Sequence, residues 1–240
     1  MKIKPQSGST LVVVLIVVLA LTIIGTLVIR QSLISLNIAT NGQAQQLLMQ
    51  NSDAATFNVE NENNLVRSLA RDGMFGAIKG ATNKGKELVF CFKGGREEFF
   101  SLSQASIIYE QGGSLNNSSI GPNGYCRSDE DSADFTSNRK AVLTQVAVSY
   151  VDSLTEPFQN ALRGTDEEMA KIEKTERVTL HTISLMPTLS SASTDDINQC
   201  LNSHLSNDRS NGVANCLAAL NVPYTEHITE YTLGQVISSG

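Results

Sequence analysis

The sequence predicts an α+β protein in which a long N-terminal helix packs on an antiparallel sheet and the C-terminal region is tied by disulfides. Three observations carry this. An apolar run from Leu11 to Ile29 continues into Gln31 to Ser52, a stretch without charge or Pro; the later chain sets Val, Ile, Leu and Phe at strand spacing between Gly-rich turns; and four cysteines fall into two separate stretches.

The composition of the 240 residues, 41% hydrophobic and 18% charged with 5 Pro and no Trp, is too apolar for intrinsic disorder. Charge is unevenly placed. Residues 1–56 hold only Lys2, Lys4, Arg30 and Asp53, a net +2, so the remainder carries −8 of a total of −6. An acidic head follows an apolar stalk. Its basic residues are scattered, and a nucleic-acid-binding face needs local Lys/Arg density to displace counterions, so no direct nucleic-acid binding is expected.

Leu11 to Ile29 is 19 residues in which only Thr22, Gly25 and Thr26 dilute Leu, Ile, Val and Ala. As a helix it reaches ~28 Å, the hydrocarbon thickness of a bilayer. A secretory signal has an apolar stretch of roughly 7 to 15 residues followed by a small-residue cleavage site, whereas this run ends Leu27-Val28-Ile29-Arg30. Lys2 and Lys4 precede it, which places the N-terminus in the cytoplasm and the head outside.

Helical continuation is the simplest reading of Gln31 to Ser52. Leu33, Leu36, Ala39 and Leu47 mark one face, and Ile34, Ile38, Gln45 and Leu48 an adjacent one. A helix from Ser9 to about Thr56 would be ~72 Å long. Sustained heptads with flanking charges are absent, which argues against a coiled coil and for packing among many similar helices.

In the head, Asn64 to Ala70 reads as the end of the stalk or a short separate helix, broken by Gly73, Gly76 and Gly80. Glu87 to Phe92, Gln104 to Glu110, Lys140 to Val151 and Arg177 to Met186 read as strands, with turns at 94–95 and 112–124. Thr165 to Lys174 is a helix or exposed linker. Asp195 to Leu205 reads as a helix capped by Thr194 or Asp195, followed by a tail of Val213 to Leu220 and Tyr224 to Val236.

Cys91, Cys126, Cys200 and Cys216 form an even set with no Cys-x-x-Cys, which reads as two disulfides in an oxidising compartment. Three pairings are possible. Cys91 with Cys126 and Cys200 with Cys216 is favoured, because each bond then closes a local loop.

Other motifs carry less. Gly80 to Glu87 nearly matches a phosphate-binding loop, but Glu87 stands where the magnesium-binding Ser/Thr belongs, so a surface turn is expected. His181, His204 and His227 are too far apart for a local metal motif, and no Ser, His and Asp set has nucleophile context. Asp129, Asp131 and Asp134 lack the turn Gly and closing Glu of a calcium loop and read as a solvated acidic loop. No catalytic residue, cofactor or metal is expected.

The N-terminal residues carry a resemblance. A short basic leader ending in Gly8, then Ser9, Thr10-Leu11 and an uninterrupted apolar helix resembles the class III signal of type IV prepilins, which is cut after the Gly. The start Thr10 to Ile16, Ile29-Arg30-Gln31-Ser32-Leu33, and Asn41 to Gln46 resemble PilX-type minor pilins, and the chain with its Cys-containing tail is most similar to those of Acinetobacter-like bacteria. The resemblance implies a leader at 1–8, a filament-core helix at 9–56 with its membrane part at 11–29, an α+β periplasmic head at 57–190 and a disulfide-tied C-terminal subdomain at 191–240. It further implies cleavage between Gly8 and Ser9 by prepilin peptidase and N-methylation of Ser9. Other minor pilins and a tip adhesin-like protein are the implied partners, first in the inner membrane and then at the pilus tip on the cell surface.

Three positions depart from the family pattern. Ser7 stands where Lys or Arg usually precedes the Gly, Ser9 where Phe usually opens the mature chain, and Val13 where polymerising pilins carry Glu. Such a Glu meets the N-terminal ammonium of a neighbour, offsetting ~2.5 to 3.5 kcal/mol for a charge at membrane depth. Its loss resembles the K-type pseudopilin of type II secretion, which caps a tip. The expected function is therefore pilus priming and tip assembly, and with it twitching motility, adhesion and DNA uptake. The alternatives are a K-like pseudopilin or, in a different class, a signal-anchored periplasmic enzyme or sensor.

Overall fold

The computed structural model describes residues 9–94, 99–112, 114–117, 120–121, 123–129, 134–136, 139–151 and 176–233, with Ser9, Thr10 and Ala81 described by backbone alone. The chain divides into two compact units, residues 1–44 and 45–240.

The first unit holds most of α1, a continuous helix of 52 residues from Ser9 to Glu60. It is long and apolar enough to cross a membrane, with a mean hydropathy of 3.2 in its most apolar window. Three hydroxyls in its N-terminal part bond back to the helix: Thr22 Oγ1 donates to the Leu19 carbonyl at 2.7 Å, Thr26 to Ile23 at 2.8 Å and Ser32 to Val28 at 3.0 Å. Hydrocarbon offers no alternative partner, so this back-bonding lets polar residues sit in an apolar run.

In the second unit α1 acquires a buried stripe through Leu48, Ser52, Ala55, Thr56 and Val59, the spacing of one helical face. That stripe carries the helix four residues beyond the expected end at Thr56. Asn61 then accepts a hydrogen bond from the Asn63 N–H and starts α2, Glu62–Leu69, as a separate helix. The short α3, Met74–Ile78, buries Met74, Phe75 and Ile78.

Strands β1 (Lys86–Phe92), β2 (Ala105–Gln111), β3 (Ser114–Asn116), β4 (Leu143–Val151) and β5 (Glu176–Leu185) follow. After α4 (Thr194–Asn202) and α5 (Val213–Ala219), strand β6 (Tyr224–Leu233) completes an antiparallel sheet of order β3-β2-β1-β4-β5-β6. Strand β3 lies where the sequence reads as turn, because three residues are too few to display alternation. Helix α4 is capped by Ser193, whose hydroxyl accepts from the Asp196 N–H at 3.1 Å, rather than by Thr194 or Asp195, and it ends at Asn202, short of Leu205. The expected segment at 165–174 and the end of the tail at 234–236 lie outside the described residues.

The register assigns the two faces of the sheet. On one, Leu88, Phe90, Val146, Val148, Val178 and Leu180 pack against Ala55 and Val59 of α1 and the buried residues of α3. On the other, Leu143, Ile183 and Leu185 pack against Ile197, Leu201, Val213 and Leu217 of α4 and α5. With both faces covered and a strand on either side, β4 is buried from Leu143 to Tyr150. Residues 191–233 thus supply both a helical layer and the sixth strand of the sheet.

Candidate functional site

The residues singled out at the N-terminus fall at the start of α1. Gly8 lies outside the described residues, and Ser9 is the first residue of the helix. Val13 stands in the second turn with 55% of its surface exposed. The first turn contains no acidic residue, so no side-chain carboxylate there complements the positive end of the helix dipole.

The side chains of the first unit leave an apolar surface. Every large hydrophobic residue from Leu11 to Ile38 is more than half exposed, including Leu33 at 56% and Ile34 at 60%. Apolar residues surround the helix rather than forming one stripe, the pattern of a helix that is covered on all sides by lipid or by other helices. Arg30 is the one charged side chain between Leu11 and Ser52.

The head is fastened by covalent and polar ties. Cys91 is bonded to Cys126 and Cys200 to Cys216, with Cα–Cα separations of 4.8 and 5.5 Å. The first bond joins β1 to a strap of residues after Gly121, and the second joins α4 to α5. Gly124 is required in that strap, because a Cβ there would collide with the Val89 carbonyl and the Ser106 amide. Ser106 Oγ accepts from the Gly124 N–H at 2.9 Å and donates to the Gly121 carbonyl at 2.7 Å.

Two buried polar side chains hold the α4–α5 region onto the sheet. Gln145 accepts from the Cys126 N–H at 3.1 Å and donates to the Leu201 carbonyl at 3.0 Å. Glu87, fully buried on β1, accepts from the N–H groups of Ser206 at 2.8 Å and Asn207 at 2.6 Å. Burial pushes the Glu87 carboxyl above its usual range; the two N–H groups and His181 oppose that shift, and Glu226 adds to it. His181 Nδ1 lies 3.0 Å from Glu226 Oε1 on the neighbouring strand.

Sequence reasoning missed Glu87 and Gln145 as ties. Glu87 was legible as the start of a strand and as a departure from a phosphate-loop pattern, and the structure places it as the second residue of β1, after a turn with Gly80 and Gly85 at positive φ. Of the acidic loop, Asp134 accepts from the Arg127 N–H at 2.9 Å and pairs with Lys93; Asp129 accepts from Asn198 at 3.2 Å, and Asp131 lies outside the described residues. Among the described residues no three His, Cys, Asp or Glu side chains are grouped as metal ligands, and the three histidines are not brought together.

No protein-family model, curated protein or solved structure matches this chain.

Proposed function

We propose that this chain is a minor pilin of the PilX type that takes part in priming type IV pilus assembly and in building the tip complex. The observation that carries the reading is α1. Its first 36 residues join a membrane-length apolar run to an uncharged, amide-rich one, exposed on all sides and without a carboxylate at Val13. A membrane anchor alone has no use for the second part, whereas a helix packed among like helices does.

In this reading prepilin peptidase cuts between Gly8 and Ser9, Ser9 is N-methylated, and the head is periplasmic until the complex emerges at the cell surface. Other minor pilins cover the Leu33 and Ile34 faces. An adhesin-like tip protein sits on the acidic head. Val13 favours the end of a fibre, since a terminal subunit needs no carboxylate to receive a neighbour's ammonium. The same residue favours a second reading, a K-like pseudopilin of a type II secretion system.

The deciding experiment is the N-terminal mass of the membrane-extracted protein together with its co-purifying proteins. A mass beginning at methylated Ser9 with pilus minor subunits supports the proposal. Secretion pseudopilins in their place would select the second reading, and an intact Met1 terminus would remove both.

A further inference from the structure

A cleft of about 770 Å³ opens on the head, on the sheet face that carries α4 and α5. One wall is the end of β2 with β3 and the residue after it, contributing Glu110, Asn116 and Asn117. The opposite wall is the α4–α5 connection, contributing His204, Asp208 and Asn211. Ile108 and Tyr125 close its buried end, both in a small core with Val89 and Ala147.

The chemistry of the lining is selective. Polar side chains outnumber the apolar ones, among them Ile108, Leu115 and Leu205, so the cleft suits a ligand with both polar groups and apolar faces. Carboxylates stand on both walls, at Glu110 and Asp208. The Asp208 carboxyl is held below its usual range by the Ser210 amide and hydroxyl, so it stays anionic. The cation at the rim, Arg127, lies 3.5 Å from Asp134, which opposes its use for an anionic ligand. What remains is an array of amides and carboxylates suited to hydroxyl groups, which both donate and accept.

One buried polar atom sharpens this. His204 Nδ1 is buried and has no hydrogen-bond partner. Such an orphaned group is uncommon in folded proteins and costly to leave unmade. It belongs to a residue that lines the cleft, as does Tyr125, 93% buried, whose hydroxyl has the Asn117 side chain beside it.

We infer that this cleft is a binding site for a neutral saccharide, one that holds sugar hydroxyls between Glu110 and Asn117 on one wall and Asp208 and Asn211 on the other. Its volume falls within the ~300 to 1,000 Å³ of small-ligand sites. The inference is independent of the pilin reading, since it rests on the head alone.

Saturation-transfer NMR on the full-length protein, in a detergent without a sugar headgroup, tests it with D-galactose, D-glucose and N-acetyl-D-glucosamine; N-acetylneuraminic acid is the anionic contrast. At least one neutral sugar should bind saturably and more tightly than the acid. Glu110→Gln and Asn117→Ala should each weaken that binding roughly tenfold, the scale of one lost hydrogen bond. Both lie on the cleft wall, and an unchanged unfolding midpoint will show that each variant folds. The inference is overturned if no neutral sugar saturates, if the acid binds equally well, or if binding survives both substitutions.

Discussion

The Tyr231 hydroxyl donates a 2.8 Å hydrogen bond to Glu60 Oε1, joining the last residue of the long helix to the last strand of the sheet, 171 positions later in the chain. The Tyr231 ring also tilts against Phe75 of α3, with centroids 5.9 Å apart. Burial and the Glu60 carboxylate together raise the Tyr231 phenol well above its usual range.

Tyr231→Phe keeps the ring contact and removes the hydrogen bond. The expected loss is about 1 kcal/mol, less than is usual for a carboxylate acceptor because the pair is only partly buried. Urea unfolding of the variant beside the parent protein measures it. A larger loss would mean that the bond sets the position of β6 rather than trimming its end.

Glu87→Gln retains one acceptor oxygen for two N–H groups, so one of the Ser206 and Asn207 amides loses its partner. This should cost about 1 to 3 kcal/mol. The pH dependence has a definite sign. Because the folded-state carboxyl titrates above its usual 4.5, the folded protein binds more protons than the unfolded chain above that value. The Glu87 contribution is therefore present below 4.5 and declines as pH rises, so the difference between parent and variant should narrow from pH 4.5 to 7. Stability curves measured over that range would show a widening gap if the sign were wrong.

Breaking Cys200–Cys216 by replacing both cysteines with Ser should cost ~2 to 5 kcal/mol. The bond spans 16 positions and holds α4 against α5, which supply much of one core layer. Non-reducing peptide mapping should recover Cys91 with Cys126 and Cys200 with Cys216 as separate linked pairs. A Cys126–Cys200 peptide would contradict the arrangement.

Tyr125→Phe removes a buried hydroxyl whose neighbouring polar group is the Asn117 side chain, held at most weakly, and it should change stability by no more than about 1 kcal/mol. Thermal unfolding reads this directly. A larger loss of stability would show that the hydroxyl is firmly bonded in solution.

One substitution and one deletion probe the proposed function. Gly8→Arg should abolish processing, and a mature mass unaffected by it would remove prepilin cleavage from the account. Deleting the protein should lower the number of pili more than the stability of those that form. Labelled protein spread evenly along sheared fibres would instead make it a minor subunit within the filament.

The sequence by itself determined α1, the main strands and the acidity of the head. These depend on local quantities: an apolar run of membrane length, an uncharged continuation without Pro, and side chains alternating at a period of two. The polar ties were decided only by tertiary structure. Nothing near Glu87 in the chain announces that its carboxylate will meet the amides of Ser206 and Asn207, about 120 residues away. Nor does the tail announce that Tyr224–Leu233 will be the sixth strand, since an edge partner is chosen by register against β5. The cleft belongs to the same class. Its walls are distant segments, and their polar residues read along the chain as ordinary surface until the sheet and the α4–α5 hairpin bring them face to face.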